Sequence, residues 1–269
     1  MRKIIFLLIC FCSSKVVFAQ KTISGQVSDN KGNSIPYVNI GIKASKTGAL
    51  SDIKGNYTIQ IADSLINDTL TFSSVGFEIK KIAIKNMSNK DFNVVLDERI
   101  IVLNEVKIRN KKRKTYKIGI TGRTPMMFVP STGHQRNDIF EQARLINVKE
   151  PVQVLNANIF VQSEIKEEVK VRINFYAVEN GLPGKLLIEK NTIMKMENGK
   201  GWKTFDLTAE HIYLDQDFVI AFEMLPSTRK MTAFGAKIGA ANSFIRSNSL
   251  GVWRKNAAAG CSIYVTVEN

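Results

Sequence analysis

From Ile23 to Ile61 apolar and polar residues alternate in runs too short for a helix, and Asp-x-x-Gly tetrads separate the runs. Val38, Ile40 and Ile42 share one phase, and Tyr37, Asn39, Gly41 and Lys43 share the other, the alternation of a half-buried strand. Asp29-Asn30-Lys31-Gly32 and Asp52-Ile53-Lys54-Gly55 are turn signatures. The glycine in each takes the positive φ that a tight reversal demands, and the aspartate accepts a backbone N–H two residues on. Short strands bounded by such turns predict an all-β sandwich.

With the later segments LTFSSVGFEIKKIAI (Leu70 to Ile84), FNVVLDE (Phe92 to Glu98) and LNEVKI (Leu103 to Ile108), this stretch resembles the carboxypeptidase-like regulatory domain. The resemblance implies a transthyretin-like (prealbumin-like) Greek-key sandwich of seven strands over residues 20–108. It also implies an accessory role, since this family is found in front of TonB-dependent outer-membrane receptors and contributes no active-site residue. In those receptors an LDEVVV-like segment leads into a plug and barrel. Here Leu103-Asn104-Glu105-Val106 leads instead into Lys111-Lys112-Arg113-Lys114.

The first residues read as an export signal. Arg2 and Lys3 precede an apolar run from Ile4 to Phe11, and Val17-Phe18-Ala19 forms a small-residue cleavage site before Gln20. Residues 1–19 are therefore expected to be a signal peptide, cut between Ala19 and Gln20. Ser13, Ser14 and Lys15 interrupt the apolar run well short of the ~20 residues a membrane helix needs. Cys10 and Cys12 raise a lipoprotein reading, but bulky Ile9 and Phe11 precede them. Cleavage leaves Cys261 alone, without an intrachain disulfide, in phase with Ile263, Val265 and Val267 and so expected to be a buried, inert thiol. The formal charge of +14 falls to +11 with the loss of Arg2, Lys3 and Lys15. An exported chain so basic meets anionic envelope polymers rather than nucleic acid.

The densest basic run marks a linker over residues 109–115, with Lys111, Lys112, Arg113 and Lys114 as candidate anion contacts against the plainer reading of a hydrated linker. Beyond it, residues 116–269 stay β. Val169, Val171, Ile173, Phe175 and Ala177 alternate with Lys170, Arg172, Asn174, Tyr176 and Val178, which predicts a long strand with one face in water. Asn180-Gly181-Leu182-Pro183-Gly184 turns the chain, WKTFDL (Trp202 to Leu207) reads as a strand, and Phe218, Ile220, Phe222 and Met224 form a core row. Weak helical periodicity over Glu141 to Val148 suggests one short helix. The run from Val171 to Phe222 resembles noncatalytic jelly-roll domains of bacterial surface proteins, some of which bind carbohydrate. An outer-membrane barrel fits less well, because strand lengths vary and the outward faces are charged. No transmembrane segment is expected after signal cleavage.

Few residues suit catalysis. His134 and His211 sit in unlike contexts, and no metalloprotease, nucleophile-elbow or phosphate-loop motif is present. Asp215 and Asp217 suit a polar turn as well as a calcium ligand set. Trp202, Trp253 and Tyr213 are candidates for a glycan-stacking platform, with Arg254 and Lys255 beside Trp253 as handles; the plainer reading packs Trp202 into the sandwich. Ser64 and Thr69, in Asp63-Ser64-Leu65 and Asp68-Thr69-Leu70, resemble acceptors of an envelope O-glycosylation system. The expectation is an all-β chain of two β-sandwich domains, the second jelly-roll-like, exported to the periplasm or outer-membrane surface of a Gram-negative bacterium. It is read as a non-enzymatic accessory or scaffold without cofactor, with an envelope protein as partner. The alternative is a carbohydrate-binding surface module.

Overall fold

A computed structural model describes residues 20–88, 90–99, 113–130, 137–166, 168–226, 233–256 and 258–269. The first half carries β1 (Gln20–Asp29), β2 (Asn39–Gly41), β3 (Gly48–Leu50), β4 (Asn56–Ala62), β5 (Thr69–Ser73), β6 (Lys80–Ala83) and β7 (Val94–Leu96). They form a three-stranded sheet, β4-β1-β7, against a four-stranded sheet, β3-β2-β5-β6, and β1 and β7 run parallel. The two turn tetrads behave as their residues dictate. The Lys31 N–H donates to Asp29 Oδ1 at 2.8 Å and the Lys54 N–H to Asp52 Oδ1 at 2.8 Å, with Gly32 at φ 83° and Gly55 at φ 77°. Val38, Ile40 and Ile42 are buried in the core with Ile23, Ile59, Leu70 and Phe72. The strand itself is shorter than the alternation suggested, because Tyr37 takes φ 55° and leaves the extended region.

The second half carries β8 (Thr115–Gly119), β9 (Phe128–Pro130), β10 (Phe140–Ile146), β11 (Val152–Val161), β12 (Val169–Glu179), β13 (Leu182–Leu186), β14 (Ile193–Met196), β15 (Gly201–Asp206), β16 (Ile212–Leu214) and β17 (Phe218–Met224). It continues with β18 (Ala233–Ile238), β19 (Ser243–Arg246), β20 (Arg254–Asn256), β21 (Ala259–Cys261) and β22 (Ile263–Glu268). A seven-stranded sheet runs β13-β12-β17-β10-β19-β20, with β14 also on β12. An eight-stranded sheet runs β21-β18-β11-β22-β8, with β15 and β16 on β11 and β9 on β18. Val171, Ile173 and Phe175, the row Phe218, Ile220, Phe222 and Met224, and Ile263, Val265 and Val267 fill the core between them. Asn180 at φ 51° and Gly181 at φ 74° close the β12–β13 hairpin, where Glu179 pairs with Leu182.

Two expectations are overturned. Of the region read as weakly helical, Glu141 to Val148, residues 141–146 belong to strand β10, paired antiparallel on both sides, with β17 and β19. A ladder with β17 along the whole strand and a second with β19 over Glu141 to Arg144 outweigh a weak local preference. The middle of the β12 face expected in water is also buried: Arg172 is 2%, Asn174 5% and Tyr176 5% exposed, while Lys170 is half-buried and Val178 exposed at its two ends. Alternation reports that the two faces of a strand differ; it does not report that the polar one is wet.

Candidate functional site: a buried charge row and the joint beside it

The polar face of β12 belongs to a row crossing four strands. Arg172 on β12 is directly opposite Glu223 on β17, Glu223 opposite Glu141 on β10, and Glu141 opposite Arg246 on β19. The row thus reads Arg-Glu-Glu-Arg. Two carboxylates opposed in register repel each other, and each is answered by the guanidinium on its outer side. Arg172 Nη1 donates to Glu223 Oε1 at 2.9 Å, and Arg246 Nε to Glu141 Oε2 at 2.5 Å.

Asn174 spans the middle, donating from Nδ2 to Glu223 Oε2 at 2.8 Å and to Glu141 Oε1 at 3.1 Å. Its strand neighbours in register are Ala221 and, beyond it, Ala143, small enough to leave it that space. The Tyr176 hydroxyl donates to Glu141 Oε1 at 3.0 Å and accepts from Arg246 Nη2 at 3.0 Å. Burial pushes the Glu223 carboxyl above its ordinary value, while Arg172 pulls it down. Burial works to lower Arg246, but the Glu141 charge outweighs it and holds the guanidinium firmly protonated.

One end of this row reaches the first sandwich. Arg172 Nη2 donates to the Tyr37 carbonyl at 2.6 Å, which the left-handed turn at Tyr37 places there. Beside it lies a second contact. Gly41 and Gly48 are opposed in the β2–β3 pair and face Ser249, between β19 and β20. A Cβ on Gly41 would come within 2.7 Å of the Ser249 carbonyl oxygen, and one on Gly48 would strike the Asp138 carboxylate.

The missing side chains form a notch that seats Ser249. Its hydroxyl donates to Asp138 Oδ1 at 2.6 Å and lies 2.8 Å from Asn39 Oδ1. The Ala44 N–H donates to the Leu250 carbonyl at 3.2 Å, the Leu50 N–H to the Asn137 carbonyl at 3.0 Å, and Asn137 Nδ2 to the Thr58 carbonyl at 2.8 Å. Leu50, Ile139 and Leu225 add a small apolar cluster, and Arg99 pairs with Glu189. The two sandwiches are therefore joined through buried polar contacts.

Asp138 gives the joint a pH dependence. Burial pushes its carboxyl up to about 6, against the hydrogen bonds from Ser249 and Ile139 and the charge of Arg246. An acid raised on folding keeps its proton in the native chain where the unfolded chain has lost it. Its contribution to stability is thus largest below the unfolded value of 3.8 and falls as pH rises to about 6. The change is on the order of 3 kcal/mol. Chemical denaturation of the wild type and Asp138→Asn across pH 4 to 7 is expected to show the wild type losing most of that relative to the variant, the fall levelling off once the pH passes about 6. A constant difference from pH 4 upward would sink this assignment.

The candidates drawn from the sequence are dispersed. Trp253 is not at an open loop edge: it is 9% exposed, with Arg246 over its ring at 4.6 Å and Tyr176 edge-on at 5.5 Å. Trp202 and Tyr213 lie half-buried on β15 and β16, strands of the other sheet, so the three do not form one platform. Of the basic run, Arg113 pairs with Glu268 at 3.0 Å and the Lys114 backbone bonds Asn269, while Lys111 and Lys112 lie outside the described residues.

Ser64 and Thr69 are exposed, and Gln20 begins β1 opposite Ala62; Ala19 and the rest of the signal segment lie outside the described residues, as does His134. His211 is exposed at φ 50°, and Asp217 accepts from the Val148 N–H at 2.9 Å and from Asn147 Nδ2 at 2.5 Å, tying the end of β10 to the start of β17. Among the described residues no group of three His, Cys, Asp or Glu could hold a metal ion. Cys261 is buried, and burial raises its thiol. Neither the charge row nor the glycine notch is marked by a sequence motif, since both are assembled from strands far apart in the chain. The one visible signal was the spacing of Arg172 and Asn174 within an otherwise regular strand.

Comparison with known proteins bears mainly on the first sandwich. Residues 23–108 match the CarboxypepD_reg-like domain family. TonB-dependent receptor P3 of Formosa agariphila is 30% identical over 108 residues, 38% of this chain and 11% of the receptor. TonB-dependent receptor P39 of the same organism is 30% identical over 88 residues, 33% of this chain and 8% of that receptor. The chain thus spans only a small part of these relatives. Among solved structures, the Clostridial cysteine protease Cwp84 after propeptide cleavage aligns with 92% of this chain and 70% of its own at 11% identity, with a TM-score of 0.40.

Proposed function

We propose that this is an exported Gram-negative envelope protein that works without chemistry of its own, as an accessory or scaffold to an outer-membrane system. The family match and the two TonB-dependent receptors support the envelope setting. The observation that carries the scaffold reading is the joint: the Gly41–Gly48 notch on Ser249 and the Arg172 bond to Tyr37 hold the two sandwiches in one orientation. A regulatory module fixed in this way presents its remaining surfaces to a protein partner at a set distance from the second sandwich. The charge row supports the same reading, since its carboxylates are spent on arginine, asparagine and tyrosine inside the fold. Carbon chemistry by an acid–base pair needs at least one such group turned toward a substrate.

Crosslinking in the native envelope followed by mass spectrometry tests the proposal. The expected result is an outer-membrane receptor or assembly protein linked to lysines of the first sandwich. Gly48→Val, which wedges the joint, should reduce the yield of those links several-fold while the second sandwich keeps its thermal transition. Recovery of no envelope protein, or links indifferent to the wedge, would count against the scaffold.

A further inference from the structure

We propose that the outer face of the eight-stranded sheet binds an acidic polysaccharide along a row of aromatic rings. Trp202 on β15 and Phe160 on β11 are directly opposed and meet edge to face, with centroids 5.4 Å apart. Trp202 also reaches Tyr264 on β22, at 4.8 Å, across the position of Asn158. The Phe160 ring extends the other way over Gly235 of β18, where a Cβ would lie 2.7 Å from its Cδ1. Directly opposite Gly235 is Phe128 of β9, 53% exposed. Four rings therefore follow one another over adjacent strands on one face, and Phe160, Trp202 and Tyr264 are each half-exposed.

Cations sit at both ends of the central three. Lys117 Nζ lies over the Tyr264 ring, 5.1 Å from its centroid, and the Arg123 guanidinium over the Phe160 ring at 4.8 Å, so the outer rings carry the charge and Trp202 lies between them. Both side chains are on exposed residues. Beneath the rings Asn158 is buried, donating to Asn156 Oδ1 and accepting from the exposed Thr204 hydroxyl at 2.7 Å. The nearest acids along the strands are turned to other uses or set apart: Glu268 pairs with Arg113, and Asp206 lies four residues along β15 from Trp202.

A ligand for this face needs apolar faces at intervals, to lie on rings, and anionic groups at its sides, to meet Lys117 and Arg123. A sugar chain bearing carboxylates has both: its C–H faces pack on aromatic rings, and its carboxylates accept charge-assisted hydrogen bonds. A neutral glycan offers the two cations no anionic partner beyond the rings they already cover. Electrostatic attraction by the whole basic chain does not by itself produce this row, which is why the test turns on position and not on charge alone.

Affinity electrophoresis of the full chain in gels containing polygalacturonate or neutral dextran reads the interaction. Retardation by polygalacturonate is expected, and not by dextran. Trp202→Leu should weaken it about fivefold or more, the range that loss of one stacked ring implies. The double variant Lys117→Gln/Arg123→Gln, confined to exposed side chains and expected to fold as the wild type, should do the same. The double variant Lys54→Gln/Lys81→Gln, equal in charge change and placed on the first sandwich, should leave it unaltered. Equal losses in the two charge variants would mean diffuse attraction and overturn the proposal, as would no retardation at all. Comparable binding of oligothymidylate or of phosphatidylglycerol vesicles, lost in the same variants, would overturn it in favour of a nucleic acid or a lipid surface.

Discussion

Arg172→Met is expected to cost the second sandwich about 3–5 kcal/mol, the loss that follows when one member of a buried ion pair is removed and the other is left without its partner. Glu223 is 1% exposed and faces Glu141 in the neighbouring strand, so without Arg172 its charge is left with the repulsion of Glu141, the amide of Asn174 and the more distant charge of Arg246, which already answers Glu141. The variant also releases the Tyr37 carbonyl at the joint. Arg172→Met combined with Glu223→Leu should recover most of the loss, because two apolar side chains of similar volume need no counter-charge. Urea unfolding of the four proteins of this cycle measures it. A single variant within about 0.5 kcal/mol of wild type, the range of an inconsequential surface change, would show that the row is not the buried network described.

Val38→Asp should unfold the first sandwich. Val38 is fully buried among Ile23, Ile40, Ile59 and Phe72, and its own N–H is already bonded to the Ser51 hydroxyl at 2.8 Å. An unpaired carboxylate there costs several kcal/mol, against a domain stability of ~5–15 kcal/mol. Both tryptophans lie in the second sandwich, so their emission should stay native while limited proteolysis cuts within residues 20–99. A melting curve and a proteolysis pattern like those of the wild type would remove Val38 from the core.

Much of the fold was legible. The two Asp-x-x-Gly turns form the side-chain to backbone bonds their residues imply, the Asn180-Gly181 hairpin closes where expected, and the Phe218 to Met224 row lines the core. These are local properties, settled by φ preferences, by hydrogen bonds spanning two residues and by a side-chain period of two. The candidate site was far less legible. Trp253 stands in polar company in the sequence, yet it lies under Arg246, a residue that only the β10–β19 pairing brings beside Glu141.

The sequence by itself determined that this chain is predominantly β, which residues share a face in strands such as β2, β12, β17 and β22, and where the marked turns fall, because each depends on neighbours a few residues apart. Only the tertiary structure decided which polar faces are buried. Arg172 and Glu223 are 51 residues apart, and Asn39 and Ser249 are 210. An arginine on a strand is compatible with water, with a glutamate on the next strand or with a carbonyl of another sandwich. Its energy differs by several kcal/mol between these settings, and the choice is made by packing that no local pattern encodes.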